Sequence, residues 1–548
     1  MRSDSTTQAA QPQGIDLRHW SGSRLSLDYT FQHERLARFY AGDPARPEAW
    51  RTAIARAQAH PRQRGAVVTL LQAQLAARQA PEQARAAVVK LGDPQTVAIV
   101  TGQQAGLFGG PLYTLMKGLT AAKLAADIEA QYRVPCVTVF WNHAEDHDWD
   151  EVASADVLDG SMALARVTVT GGEGAGRVPV GRVTLTGDVE RTLGELEAAL
   201  PPTEFTADVR DQLRGCYRPG FGMAEAFGRL IDLLLGPLGV IVFDGSDPAA
   251  KPLAAPLFLR VIDHPGHTSQ LAAAAADALV AQGYHAQVVV QKDATALFSM
   301  RAGREPLRYR DGQFLIGDTV EDGAAVRAEA LAHPEHFSPN VLLRAVVQDT
   351  VFPTIAYVAG PSELAYLGQL KDVYAFHETP MPLIVPRATG TLLDSASLRF
   401  LERTGLELRT LQAQDEHVLN QWLDAQLPPT LEQALQDLGQ VAADRLAALL
   451  GVVSGFDPTL EGAVKSTQGR IEHELSGLHA KIIQAAKRRH ETLRRQFAHA
   501  QQLAFPGGHP QERAVSLAWY MNRFGPALVP RLYDALPLES GKHWLLQI

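Results

Sequence analysis

The sequence predicts an α/β fold: a parallel sheet interrupted by two insertions and followed by a helical region. Three observations lead there. Residues 97–101 and 134–141 are short apolar, β-branched runs bounded by Gly, Pro or polar residues, as buried strands are. Between them Leu112, Leu115, Met116, Leu119 and Ile128 recur at helical spacing behind Pro111, which suits a first helical turn. Strand, helix and strand make a βαβ unit, and segments 233–244, 351–366 and 380–387 return to the same pattern. In such a sheet, ligands sit outside the carboxyl ends of the strands, where Gly102-Gln-Gln104 and Glu145-Asp-His-Asp148 both fall.

Taken in order, residues 1–14 are polar without an apolar stretch and read as a flexible tail rather than a signal peptide. The first part of the core spans 15–155. Residues 166–170 and 182–186 alternate around a Gly-rich turn at 171–176, which suggests a β-containing insertion over 156–225. The core resumes at 226–251, where a helix end is followed by a strand finishing in Asp244. A second insertion, 252–339, opens with an Ala-rich helix and continues through alternating runs at 286–291, 297–300 and 307–310. Residues 340–390 complete the core. From 391 to 508 the chain reads as helical: Leu431, Leu435 and Leu438 precede a break at Gly455-Phe-Asp-Pro458. Ile471, Leu475, Leu478, Ile482 and Ala485 then step by four and three until Arg489, the spacing of an antiparallel coiled-coil hairpin. Residues 509–548, with a helix around Trp519, are expected to pack near the core.

Lys plus Arg number 51 against 60 for Asp plus Glu, a net charge of -9, which argues against nucleic acid as a partner. The two cysteines show neither CxxC spacing nor a disulfide framework, and no apolar run is long enough to span a bilayer. A soluble protein of a reducing cytoplasm is expected.

The chemistry concentrates in two clusters. The stretch from Gly102 to Pro111, with Gly106, Gly109 and Gly110, lies where backbone N–H groups and a helix N-terminus favour anions. It is neither a dinucleotide nor a P-loop fingerprint, but two adjacent glutamine amides can both donate and accept. Glu145, Asp146, Asp148, Asp150 and Glu151 crowd five carboxylates around His147, and these repel unless a cation, amine or proton compensates. The compensating group could be a metal held by some of His143, Asp146, His147 and Asp148. It could equally be an amine substrate, with His147 or a carboxylate as general base, or solvent around an acidic turn. Glu363 falls in the first turn of a helix after Gly360-Pro361, and Arg387 suits a carboxylate, a phosphate or a structural acid.

Together these residues resemble the bacillithiol biosynthesis cysteine-adding enzymes, ligases that join cysteine to glucosaminyl malate. The resemblance is carried by Thr101-Gly-Gln-Gln-Ala-Gly-Leu-Phe108, Gly110-Pro-Leu-Tyr113, Glu145-Asp-His-Asp148, Phe337-Ser-Pro339 and Thr350-Val-Phe-Pro353. It continues through Gly360-Pro361 with Glu363, Ala365-Tyr366, Val385-Pro-Arg387, Pro510-Gln-Glu-Arg513 and Asn522-Arg-Phe-Gly-Pro526. It implies a Rossmann-like core related to class I nucleotidylyltransferases, two connective-peptide insertions, a C-terminal coiled-coil domain and a homodimer. It also implies an amide bond between the cysteine carboxyl and the glucosamine amine. The HIGH and KMSKS elements of that wider fold are absent, and Asn142-His143 departs from the small residues expected before the acidic motif. On this reading Glu145, Asp146 and Asp148 orient the amine, His147 handles protons, and Gln103 and Gln104 fix the acyl group. Further substrate contacts are expected from Thr101, Gly102, Gly110, Pro111, Tyr113, Trp141, His143, Phe352, Gly360, Pro361, Glu363 and Tyr366. A nucleotide, ATP or ADP, would be met by Arg387, Thr389, Tyr520 and Asn522, and no metal ligands are assigned. The alternatives are a metal-dependent hydrolase built on the acidic cluster and a nucleotide-binding scaffold without catalysis.

Overall fold

Alternation along the first apolar run sets the layers of the fold. In the computed structural model, Val97 and Ile99 face Trp50, Ile54 and Ala57 from one layer of helices, with Ala121, Ala125 and Ile128. Ala98 and Val100 face the opposite layer, with Leu71, Leu75, Val88, Val139 and Phe243. A strand apolar on both faces must be covered on both, as parallel sheets are. The structure describes residues 12–20, 22–291, 293–301, 303–425, 429–489 and 491–547. The chain divides into two units, one formed by residues up to 392 together with 510–548, the other by 393–509.

The first unit is built on five parallel strands: β1 (Val97–Gln104), β2 (Cys136–His143), β3 (Val240–Asp244), β4 (Thr354–Ala359) and β5 (Leu383–Pro386). Their spatial order is β5-β4-β1-β2-β3. Helix α1 (Tyr113–Tyr132) crosses from β1 to β2, α2 (Met223–Leu235) leads into β3, α3 (Val341–Val351) leads into β4, and α4 (Pro361–Leu367) leaves it. The order reverses between β1 and β4, and that reversal opens a crevice at the carboxyl ends of the two strands. β1 runs through the glutamine pair, so Gly102, Gln103 and Gln104 are strand residues opposite Trp141, Asn142 and His143. β2 starts after Pro135, which has no N–H to donate to the ladder.

The first insertion is less β-rich than its alternation suggests. Ser154–Leu158 and Leu164–Thr168 form a hairpin, but residues 182–186 are not a strand. A 3₁₀ turn at Val180–Arg182 interrupts them, and only Thr184 makes an isolated bridge, to Gly222. Two helices, Asp188–Ala199 and Thr206–Cys216, supply the remainder. In the second insertion five short strands form an antiparallel sheet whose last member, Phe337–Pro339, pairs with Ala294–Ser299. Residues 286–291, expected as a strand, are irregular. There the Gln369 side chain takes a neighbouring strand's place, accepting from Val288 N at 3.0 Å and donating to Val288 O at 3.1 Å. The two ends of the chain meet in a third sheet. Gln13–Asp16 pairs antiparallel with Lys542–Leu546, which runs parallel to Thr389–Leu392. Gln13 and Gly14 are therefore ordered, and residues 1–11 of the expected tail lie outside the described residues.

The second unit contains the helical hairpin, α5 (Pro429–Phe456) and α6 (Glu461–Arg489), turned by Asp457-Pro458. Ser454 Oγ donates to Glu461 Oε1 at 2.8 Å near the turn, and His479 lies 3.5 Å from Glu432 near the open end, which fixes an antiparallel register. Ile471, Leu475 and Ile482 lie in the half-buried seam, but Leu478 points to solvent and His479 takes its place. Ala485 is exposed, and the side chains of Leu431 and Arg489 lie outside the described residues. Among the described residues no helix is long and apolar enough to cross a membrane.

Candidate active site

Three adjoining cavities open at the carboxyl ends of β1 and β2, and Gln104 lines all of them. The first, about 220 Å³, is bounded by Gln103, Gly110, Pro111, Tyr113, Glu151 and Arg513. The second, about 240 Å³, adds Lys117, His143, Arg344, Gly360, Pro361 and Glu363. The third, about 540 Å³, reaches under the second insertion past Glu145, Asp146 and Arg304.

The Gly-rich loop does not offer the anion cradle that its composition suggests. Gly106 N–H donates to Gln104 O, Gly110 N–H to Leu107 O, and Leu112 N–H to Val515 O. Gly109 N–H donates to the Tyr217 hydroxyl at 3.1 Å, and that hydroxyl donates to Gly106 O at 3.1 Å. With those four amides spent, the loop acts as a shaped wall, held with Phe108 in the left-handed region at φ 51°. Anions entering the cleft would be met by side chains instead.

Those side chains are cationic. Lys117 reaches from α1 to Glu363 at 2.6 Å and also donates to Gly102 O. Burial alone would raise the Glu363 carboxyl, but Lys117 and the Tyr357 hydroxyl hold it below its usual value, so it is a carboxylate; burial lowers the Lys117 ammonium, and Glu363 opposes that shift. Gly360 N–H and Tyr357 Oη complete the Glu363 shell at 2.7 and 2.6 Å. Arg344, in the first turn of α3, donates to Tyr366 Oη at 3.1 Å and has no carboxylate within 4 Å among the described residues. His143 lines two of the cavities beside it. Burial, with Arg344 and Lys117 close by, pushes this imidazole well below its ordinary value, so it is neutral. Its Nε2 is buried without a partner and lies against Gly102, where an added Cβ would come within 2.6 Å of it. Gly102 is thus required for the His143 ring to lean over β1.

The acidic run splits into different roles. Glu145 is buried, ion-paired with Lys251 and accepting from Ser338 Oγ at 3.1 Å, so a structural lysine supplies the expected positive charge. Asp146 is half-exposed. Burial would raise its carboxyl, but Arg304 at 3.4 Å and the backbone and ring of His147 lower it. His147 itself is exposed. Asp148 caps the short helix Trp149–Val152 by accepting from Glu151 N at 3.1 Å and lines none of the three cavities. Glu151, one turn on, does line the cleft, and burial raises its carboxyl above the usual value, with Asp148 and Asp146 adding to the shift.

Several expected contacts are placed elsewhere. Thr101 donates to Val358 O at 2.9 Å within the sheet, and Trp141 and Phe352 pack edge-on with Phe243 in the core, as an inward-facing strand residue and a helix-end aromatic must. Tyr366 meets the site only through Arg344. Arg387 reaches the cleft wall, but its guanidinium is held bidentately by Glu512 at 2.9 and 2.7 Å. Thr389 pairs with His543 Nδ1 at 3.1 Å. Asn522 donates to Pro201 O at 2.8 Å and accepts from Thr206 Oγ1 at 2.9 Å, tying its helix to the first insertion. The Tyr520 hydroxyl is buried without a partner and lines none of the cavities. Of the four residues assigned to a nucleotide, only Arg387 lines one of the three cavities. The acidic run forms no cluster of metal donors; among the described residues the only such cluster is His333, Glu335 and His336.

Lys117, Lys251, Arg304 and Arg344 escaped the sequence reading as site residues, and Glu151 entered it only as one of five crowded carboxylates. Of the four cations only Lys117 left a signal, since it occupies the buried stripe 117, 121, 125, 128 of α1.

Known proteins match this architecture over its whole length. Residues 12–388 match "Bacillithiol biosynthesis BshC, N-terminal Rossmann-like domain", and residues 390–548 match "Bacillithiol biosynthesis BshC, C-terminal coiled-coil domain". A relative from Salinibacter ruber is 34% identical over 96% of this chain and 96% of its own. One from Chlorobaculum tepidum is 32% identical over 88% of each, and one from Solibacter usitatus 31% over 96% and 97%. All three carry the name "Putative cysteine ligase BshC". A Rossmann-like core with its crevice at the β1/β4 reversal, a helical hairpin and full-length similarity together make this chain a member of the BshC family of bacillithiol biosynthesis.

Proposed function

We propose that the chain is a ligase forming the amide bond between the carboxyl of cysteine and the amine of glucosaminyl malate, the last step of bacillithiol biosynthesis. The observation that carries this reading is the meeting, around Gln104, of Glu151 with its raised carboxyl and Arg344 without an ion pair. The acceptor brings both signs to such a cleft, an amine on the sugar and two carboxylates on the malate. For the nitrogen–carbon bond to form, the ammonium must first lose a proton. A carboxylate with a raised pKa, beside the amide of Gln104, is suited to accept it. Gln103, whose Nε2 donates to Tyr113 Oη at 3.1 Å, and Gln104 position the acyl carbonyl as its C–O bond breaks. Asp146, steadied by Arg304 and His147, contributes negative charge near the ammonium but is not the proton acceptor, since its carboxyl is lowered.

A cytoplasmic setting suits the thiol substrate and the two free, buried cysteines. The hairpin of the second unit serves as the homodimer contact on this reading, since Leu438, Val441, Leu449, Val452 and Phe456 are exposed along α5 at steps of three, eight, three and four residues.

The test is mass spectrometry of the products when the protein is incubated with cysteine and glucosaminyl malate, with and without ATP and a divalent cation. The expected result is a gain equal to cysteine minus water, and dependence on ATP would identify how the carboxyl is activated. No such gain under any of these conditions overturns the proposal.

A further inference from the structure

The largest of the three cavities has features that amine activation does not use. Its walls are apolar, with Val290, Leu297, Phe298 and Leu342, but three arginines line it as well: Arg304, Arg308 and Arg344. Arg304 stacks on Phe298 at 3.8 Å and is engaged by Asp146, and the other carboxylate, Glu145, is taken by Lys251. Arg308 and Arg344 are left with no carboxylate within 4 Å among the described residues. The Nε atoms of Arg304 and Arg308 are buried without a hydrogen-bond partner. The first turn of α3, through Asn340, Val341 and Leu342, lines the same space and adds the positive end of an eleven-residue helix.

Two guanidinium groups without an ion pair, separated by apolar wall, fit a compact dianion on a short carbon spacer. We infer that this chamber holds the dicarboxylate arm of the acceptor, with one carboxylate on Arg344 and the other on Arg308, leaving the sugar amine to face Gln104 and Glu151. The identity of the arm as malate rests on the proposed ligase reading; the preference for a dianion rests on the arginines themselves. Arg308 is then the residue that separates acceptor recognition from cysteine recognition, since it lies in the second insertion, away from Gln103 and Glu151.

The experiment is calorimetric titration of L-malate and of the monoanion L-lactate into the full-length protein, into Arg308→Gln and into Arg310→Gln, with KM for both substrates measured on the same samples. Arg310 lies on the same strand but is paired with Asp293. The expected result is malate binding at least about tenfold tighter than lactate, with Arg308→Gln weakening malate and raising KM for glucosaminyl malate by about tenfold or more. KM for cysteine stays in place, and Arg310→Gln behaves as the parent. Unchanged malate affinity and acceptor KM in Arg308→Gln, or a rise confined to the KM for cysteine, overturns the inference. If no variant or parent forms the amide while Arg308→Gln still loses malate, the ligase reading falls and the dianion chamber stands.

Discussion

At the scale of single residues, the acidic run teaches the most. Five carboxylates in seven positions call for positive charge nearby, and Lys251 and Arg304 supply it. Which carboxylate faces the cleft depends on one turn of helix that begins at Asp148, and no spacing rule fixes that in a four-residue element. The distinction is measurable. Asp148→Ala removes a cap, costs about 1 kcal/mol of stability and leaves turnover in place. Lys251→Met leaves Glu145 buried without its partner and costs about 3–5 kcal/mol, read as a lowered denaturation midpoint. Because the Glu151 carboxyl is raised, a pH–rate profile should lose its acidic limb at a pH above that of an ordinary glutamate, and Glu151→Gln should abolish that limb.

At the scale of elements, period and turn chemistry carried β1, α1 and β2, because each buries a continuous apolar face, and carried the hairpin through a seam that is only half-buried. They failed where a side chain stood in for backbone, as Gln369 does for residues 286–291, or where a 3₁₀ turn cut an alternating run at Val180–Arg182. The Gly-rich loop is the clearest case. Its glycines suggested a cradle, but Tyr217, more than a hundred residues away, fastens it by two hydrogen bonds. Tyr217→Phe should keep the aromatic packing on Phe108, cost about 1–3 kcal/mol by removing both of these hydrogen bonds while Gly109 N–H keeps Gly106 O, and raise KM through the loosened Gln104 wall. Two buried histidines carry a pH dependence, His543 in the sheet joining the chain ends and His377 at the end of the helix Lys371–Phe376. Burial lowers His543, stacked on Trp20 at 3.8 Å, to about 4, and lowers His377 likewise to about 4. Both folded values lie below the unfolded value near 6.5, so their contribution is present above about pH 6.5 and is lost as pH falls toward 4. Each accounts for up to about 3 kcal/mol, and His543→Gln should flatten the acid limb of a stability–pH curve measured by urea unfolding.

At the scale of the whole molecule, the order β5-β4-β1-β2-β3 puts the crevice beside the two motifs that first stood out. What the sequence could not disclose is the traffic between distant segments: Lys251 to Glu145, Arg344 to the ends of β1 and β2, and Arg387 to Glu512. These are long-range pairings with no local period. The proposed dimer contact of the hairpin makes a prediction of its own. Leu449→Glu with Val452→Glu, two exposed positions on α5, should shift the protein from dimer to monomer in sedimentation velocity without loss of helix content. The central claim is that the crevice at the strand-order reversal makes the amide bond with Glu151 as its proton acceptor. Its most direct test is the rate at which the cysteine-minus-water mass appears on glucosaminyl malate in Glu151→Gln at saturating substrates. The account predicts a loss of about a hundredfold or more relative to the parent protein, whereas a parental rate in that variant would contradict it.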